Sequence, residues 1–256
     1  MNIAVLLNMV PDLVEDLELD ASGTALDAQW MRYVLSESDE HALEQALLLK
    51  DRHGARVTVL ALDYGDVDEA LYSSLAKGAD EAVRLVGIPR EGLTKRAIAV
   101  AFREALRGMP ADLILTGVFA IDDLDGHVAG LLAGLLDLPF VGVTRSVEPV
   151  CDDRVVVQKE YPGGLAAEIE VDLPAVIGVL SAPQPPRYVP VARIRETRRT
   201  RAVTAHDVSS IEIPPGPAIL RLLKPEPAKR AEMLAGSPED IARQMVAILQ
   251  ERGVLR

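Results

Sequence analysis

The sequence predicts an α/β fold: a parallel-core sheet with flanking helices, antiparallel strands added at one edge, and an extended C-terminal arm that ends in a helix. Three observations carry this expectation. Up to residue 136, short apolar runs alternate with helical periodicities at βαβ spacing, and the runs are apolar enough for strands covered on both faces. After Pro139 the helical periodicity stops and four extended segments follow, joined by turn residues. Beyond Ser181–Pro186, proline-rich chain leads to one capped amphipathic helix near the C-terminus.

Residues 2–7 hold the first apolar run, Ile3 to Leu7, and predict a buried strand. Residues 8–35 read as irregular, with a turn at Asp20–Gly23 between two short extended pieces. Ser36-Glu37-Ser38-Asp39 predicts a helix start, with Ser36 as N-cap and Asp39 three residues on. Leu43, Ala46, Leu47 and Lys50 then share one face, and Gly54 ends the helix. A second strand over Arg56–Leu62 leads to a helix over Asp66–Ala76, closed by Gly78. A third strand, Glu81–Val86, leads to a helix over Thr94–Arg107. The fourth strand, Leu113–Thr116, stops at Gly117, and a small-residue helix runs from about His127 to Leu136.

Val141–Val150, Arg154–Tyr161, Leu165–Val171 and Ala175–Leu180 are expected as antiparallel strands at the edge of the sheet. The nucleotide-binding-type domain is expected over residues 1–185, and residues 186–256 as the arm. Within the arm, residues 187–201 carry six arginines, residues 202–236 hold five prolines and are expected to run extended over a surface, and 237–253 predict a helix. That helix has Ser237 as N-cap, Pro238 at its first position, Ile241, Met245, Ile248 and Leu249 on one face, and Gly253 past its end.

Composition narrows the function. A formal net charge of −12 disfavours nucleic acid as the main partner, because phosphate binding needs an excess of Lys and Arg. The lone cysteine, Cys151, excludes a disulfide framework and a cysteine-based metal site, and it fits a reducing compartment such as the cytoplasm. Its neighbours Asp152 and Asp153 do not stabilise a thiolate. His41, His53 and His206 lack metal-ligand spacing. The start of the chain reads as a strand, not as a signal peptide, and no window approaches the ~18 uninterrupted apolar residues of a membrane span.

The most informative stretch is Ala111–Pro139. A strand that breaks at Gly117 and restarts as a helix at His127 places backbone N–H groups and a helix N-terminus at the carboxyl edge of a parallel sheet, where nucleotides bind. Taken alone, residues 117–128 read as a strand–helix turn with aspartate caps. No Walker lysine loop, no Ser-Gly-Gly-x-Ser pyrophosphate loop and no convergent nucleophile–base pair is found, which argues against a ligase or hydrolase. An adenine-nucleotide-binding regulatory domain stays open as a competing reading.

Taken together, several segments resemble the beta subunit of electron-transfer flavoprotein: Ser36–Ala46, Ala76–Asp80, Gly117–Asp123, Leu136–Pro139, Gly163–Leu165, Leu173–Val176, Pro186–Tyr188, and Gly236–Ala242 with Leu249–Leu255. The resemblance spans nearly the whole chain and rests on the order and spacing of these segments. It implies an adenine-nucleotide alpha-hydrolase-like fold and half of a heterodimer. The alpha subunit would hold most of an FAD, and the beta subunit would pack over it and bind a second nucleotide. Electrons would arrive from a dehydrogenase and leave to a quinone-linked or other acceptor. The chain would be an electron carrier with no catalytic acid–base residue and no metal, since the redox chemistry belongs to the cofactor.

Carried over position by position, the resemblance puts the second nucleotide at Leu6, at Ser36 to Asp39, at Tyr64, and along Gly117 to Val128. Backbone N–H groups of Gly126, His127 and Val128 would hold a phosphate. Asp122 and Asp123 would cap the helix or bond ribose hydroxyls; Phe119, Ala120, Ile121 and Asp125 would complete the loop. Where members with a structural AMP carry Asn-Gln-Thr, this chain has Gly126-His127-Val128. Where members with a second FAD carry Gly-Asp-Thr before their valine, it has Asp123-Leu124-Asp125. AMP, a second FAD, or an empty site therefore all stay open. Pro186, Tyr188, Val191, Arg193, Ile194 and Arg195 correspond to the recognition loop that meets the dehydrogenase and the arm toward the alpha subunit. Ala166, Leu13 and Val191 replace an acidic, an aromatic and a leucine residue of the family, which implies a divergent member.

Overall fold

The computed structural model describes residues 1–27, 29, 31–89, 93–225, 231 and 233–255. They form two units, Met1–Arg221 and Leu222–Arg256. The expected boundary fell at 185/186; residues 186–221 group with the first unit.

The first unit is built on β1 (Asn2–Leu7), β4 (Arg56–Leu62), β5 (Glu81–Val86) and β6 (Leu113–Gly117), linked by α1 (Glu37–His53), α2 (Val67–Lys77) and α3 (Lys95–Leu106). β2 (Met9–Pro11) and β3 (Tyr33–Leu35) form a small antiparallel pair beside it. The Asp20–Gly23 turn is present between an isolated Leu19–Leu26 bridge. α4 (Val128–Leu136) follows β6, then come β7 (Phe140–Cys151), β8 (Arg154–Tyr161), β9 (Leu165–Asp172), β10 (Ala175–Val179), α5 (Val191–Thr200) and β11 (Thr204–Asp207). The sheet order is β11-β5-β4-β1-β6-β10-β7-β8-β9, nine strands among the described residues.

From β1 the chain winds outward through β4 and β5, then crosses back to lay β6 on the other side of β1; all these pairings are parallel. α1 and α2 cover one face, with Leu43, Leu47 and Leu71 packed on Val5, Val59 and Leu115. α3 and α4 cover the other, with Phe102 and Leu132 packed on Leu6, Leu60 and Ile114. The direction of winding reverses between β1 and β6, so the chain leaving β1 leads to α1 on one face and the chain leaving β6 leads to α4 on the other, which makes this edge the switch point. Gly54 closes α1 with φ +68, as its C-terminal position requires.

The structure corrects the expected edge strands. β7, β8 and β9 form the expected antiparallel meander. β10 does not join its edge; it inserts between β6 and β7 and runs parallel to both. Its five residues, Ala175-Val-Ile-Gly-Val179, are all buried, and such a continuous apolar run belongs in a sheet centre and not on a half-solvated edge. The arm holds two elements that local sequence does not mark. Residues 191–200 are helical, and Thr204–Asp207 become a strand parallel to β5, closing the far edge of the sheet. The arm uses the unpaired backbone groups of β5, which local sequence does not reveal. Ser36 stands at the N-cap of α1, but its side chain makes no capping bond.

In the second unit, α6 (Pro238–Glu251) starts with a full capping box: Ser237 Oγ accepts from Asp240 N at 3.2 Å and Asp240 Oδ2 accepts from Ser237 N at 3.2 Å. The expected extended segment falls partly on residues 226–230 and 232, outside the described residues. No described helix is long and apolar enough to cross a membrane.

Placement of β10 in the core has an energetic consequence. Ile177 is fully buried, so Ile177→Ala is expected to cost roughly 2–5 kcal/mol, whereas Ile169→Ala in the outer strand β9 is expected to cost clearly less. Urea unfolding of both variants measures the difference.

Candidate functional site

The switch-point edge formed by the ends of β1 and β6 is organised by one buried carboxylate. Asp39 sits in the first turn of α1 and points back into the sheet edge. Its Oδ2 accepts from Asn8 N at 2.8 Å and from Asn8 Nδ2 at 3.0 Å. Its Oδ1 accepts from Gly117 N at 2.5 Å and from Thr116 Oγ1 at 3.2 Å. One side chain thus joins the end of β1, the start of α1 and the end of β6. Burial pushes its carboxyl up to about 6, against the opposing pull of the Gly117 and Asn8 hydrogen bonds. Gly117 is required here by space: a Cβ would press on Ser38 Oγ and lie 2.8 Å from Asp39 Oδ1. Ser38 Oγ donates to Phe119 O at 2.6 Å and anchors the loop that leaves β6.

That loop, residues 118–127, is acidic and tied down. Asp123 Oδ2 accepts from Ala120 N at 2.8 Å and lies 2.7 Å from His127 Nδ1. Lys95 Nζ, at the start of α3, is 2.7 Å from Asp122 Oδ1 and 3.1 Å from Asp123 Oδ1. Both oxygens of Asp125 accept from Lys95 N at 3.1 Å, while Thr94 Oγ1 caps the same helix by accepting from Ala97 N. All three aspartates therefore serve α3 or the loop itself. α4 is left with His127 as an N-cap that makes no side-chain capping bond.

The structure brings together Ser36, Asp39, Gly117 and the 119–128 loop at one edge. Tyr64 lies beside this edge at the end of β4: its hydroxyl donates to Met9 O at 3.1 Å and its ring meets Tyr33 edge-on at 5.9 Å. Leu6 is buried within β1 with its side chain in the core. Phe119 and Ile121 are exposed, and Val128, the first residue of α4, is buried in the core. Sequence reasoning missed Asn8, Lys95 and Thr116. A polar residue directly after an apolar strand was the available signal for Asn8; none marked Lys95, because its partners are 27 or more residues away.

The arginine-rich segment divides by role. Arg187 grips the buried Glu44 through Nε and Nη2 at 2.9–3.1 Å and also reaches Asp51 at 2.9 Å. Arg198 lies over the Tyr72 ring at 4.9 Å and 3.3 Å from Glu69, and Arg201 donates to the carbonyls of Ala79 and Asp80. Tyr188, Val191, Arg193 and Arg195 are exposed, Pro186 and Ile194 half-buried. A cleft of about 500 Å³ lies beside α2, lined by Asp63, Asp66, Asp68, Glu69, Arg84 and Arg198. Its arginines are already paired with Asp68 and Glu69.

The residues present fit a nucleotide. The first turn of α4 offers N–H groups without a side-chain cap, and Gly126, at φ +130, carries no side chain before it. Asn8 Oδ1 is buried beside Asp39 and receives no hydrogen bond from the described residues, so the edge holds an acceptor as well as donors. No cluster able to hold a metal is found among the described residues. Cys151 donates to Asp153 Oδ1 at 3.0 Å, a bond that pushes its thiol up.

The electron transfer flavoprotein domain matches residues 26–211. The chain is 28% identical to the electron transfer flavoprotein subunit beta of Methylophilus methylotrophus, over 98% of each protein. It is 32% identical to the subunit of the same name from Clostridium acetobutylicum, over 76% of this chain and 74% of that one. It is 26% identical, over the full length of both, to the caffeyl-CoA reductase-Etf complex subunit CarD of Acetobacterium woodii.

The Asp39 junction makes two expectations. Asp39→Asn turns an acceptor into a donor facing donors and is expected to cost about 1–3 kcal/mol at neutral pH. Because burial raises the folded-state carboxyl above its ordinary 3.8, its contribution is fully present below about pH 4 and is lost as pH rises through about 6. The stability gap between wild type and Asp39→Asn is therefore expected to be wider at acid than at neutral pH. Urea unfolding at both ends of that window reads it, and a gap that widens toward neutral pH would contradict the burial argument.

Proposed function

This chain belongs to the electron transfer flavoprotein family, among its beta subunits, and we propose that it is the beta half of a heterodimer that shares FAD with an alpha subunit. The single observation that carries the reading is the switch-point edge, where the end of β1, the start of α1 and the end of β6 converge on Asp39, in a chain aligned end to end with such subunits. In this reading the sheet is an adenine-nucleotide alpha-hydrolase-like core, supported by the parallel order β5-β4-β1-β6. The chain works as an electron carrier in the cytoplasm, taking electrons from a dehydrogenase and passing them to a quinone-linked or other acceptor.

FAD supplies the electron storage when bound. The chain's own residues do the rest: Asp39 and Gly117 hold the edge in shape, the first turn of α4 receives a phosphate, and Tyr64 and Phe119 border the opening. The second nucleotide is AMP. A second FAD is the competing reading, favoured by Val128 and by the resemblance to a subunit of a caffeyl-CoA reductase–Etf complex.

The exposed side of α5 is the docking surface for the dehydrogenase. Thr197 is buried, and Arg198 and Arg201 are bound to the α2 side, so Arg193 and Arg195 project outward beside Val191 and Tyr188. The apolar side of α6, with Met245 and Val246 exposed, meets the alpha subunit.

Co-expression with the partner subunit is expected to give a yellow complex that releases one FAD and one AMP on denaturation. Two FAD and no AMP would instead establish the competing reading, and a colourless chain without a partner would sink both. In that complex, Arg193→Glu with Arg195→Glu is expected to slow reduction by the dehydrogenase at least tenfold while leaving flavin content intact. Stopped-flow absorbance measures this, and an unchanged rate would remove the docking role of α5.

A further inference from the structure

We infer that Lys95 is a positioning residue that offsets the loop carboxylates beside the N-terminus of α4 and so favours the nucleotide phosphate there; the inference rests on the nucleotide reading above. Three aspartates lie within four residues of one another in the loop before α4: Asp122, Asp123 and Asp125. The nearest site that attracts a carboxylate is the first turn of α4, where backbone N–H groups lack a side-chain cap and the helix dipole is positive. None of the three occupies it. Each is held instead by Lys95: Asp122 and Asp123 by its ammonium at 2.7 and 3.1 Å, Asp125 by its backbone N–H at 3.1 Å.

Lys95 is out of place by local rules. A lysine at the first position of a helix opposes the dipole, and a lysine side chain only 6% exposed is costly unless paired. Both costs are offset by the loop carboxylates, so the residue has its explanation in the loop and not in α3. Asp123 is equally buried, at 7%, and its other oxygen holds Ala120 N and His127. The loop with Lys95 carries a formal charge of −2 with His127 neutral; without the lysine side chain it carries −3, while Asp125 keeps the backbone N–H of residue 95 and Asp123 keeps Ala120 N and His127. A phosphate arriving at α4 then meets one more uncompensated negative charge. The lysine touches loop residues and not ligand, so it sets affinity for the charged part of a nucleotide and leaves the uncharged part alone.

The test uses the full-length chain and three probes, AMP, FAD and adenosine, with binding measured by calorimetry at low salt. Lys95→Met is expected to weaken the phosphate-bearing probe that binds wild type by about tenfold, a deficit that shrinks as salt is raised. Adenosine affinity is expected to stay unchanged. Lys95→Arg is expected to bind as wild type, and the double variant Lys95→Met with Asp122→Asn to recover most of the loss. Equal weakening of adenosine, or no recovery in the double variant, would reduce Lys95 to a packing role and overturn the inference. Full binding by Lys95→Met would overturn it too, with the nucleotide reading intact. Wild type that binds neither AMP nor FAD would overturn both.

Discussion

The Asp39 carboxylate is the constraint on which the rest of the site depends. It takes two hydrogen bonds from Asn8, just past β1, and two from Thr116 and Gly117 at the end of β6, a strand more than 100 residues later in the chain and adjacent in the sheet. Those donors are backbone N–H groups and short side chains at the point where β1 and β6 end, so no neighbouring strand could have satisfied them. A buried polar group without a partner costs far more than an ordinary hydrogen bond returns. The carboxylate therefore decides where both strands stop and where α1 begins. Gly117 follows from the same packing: the approach of α1 leaves no room for a Cβ.

Charge is distributed on a similar plan. The protein is acidic overall, and apart from Asp39, which neutral donors hold, acids that approach the core are placed against cations. Glu44 is buried and held by Arg187; Asp123 is buried and held by Lys95; Asp80 takes Lys50 at 2.6 Å, which holds its carboxyl below the usual range even though burial alone would raise it. Exposed ion pairs such as Arg56–Glu81 contribute little. The pairs that matter join elements distant in sequence. Arg187 in particular ties the segment after β10 to the middle of α1, and so sets the start of the path by which the chain reaches α5 and β11.

Much of the fold was legible because its elements are locally redundant. β4, β5 and β8 have bounds that follow from apolar or alternating runs between turn residues, and α6 from its capping box and proline. The misread elements are those whose role depends on a distant neighbour. Ala175–Val179 looked like one more strand of a meander, and its sequence is compatible with either place; its position between β6 and β7 depends on which strands leave backbone groups unpaired. Thr204–Asp207 has no apolar run at all and is a strand only because β5 offers an edge. Ser36 and Asp39 have the spacing of a capping box, and the pull of Asn8 and Gly117 on Asp39 overrides it.

By itself the sequence determined the alternation of strands and helices, the position of the loop between β6 and α4, and the resemblance of ordered motifs to one family, because these depend on periodicity and on residues close together in the chain. Only the tertiary structure decided that Asp39, Asn8, Thr116 and Gly117 form one junction, that Lys95 gathers the loop aspartates, and that three of six arginines serve the protein's own body. Each of those choices is a competition among partners for one charged or polar group, and the winner is set by distances that exist only once the sheet is assembled.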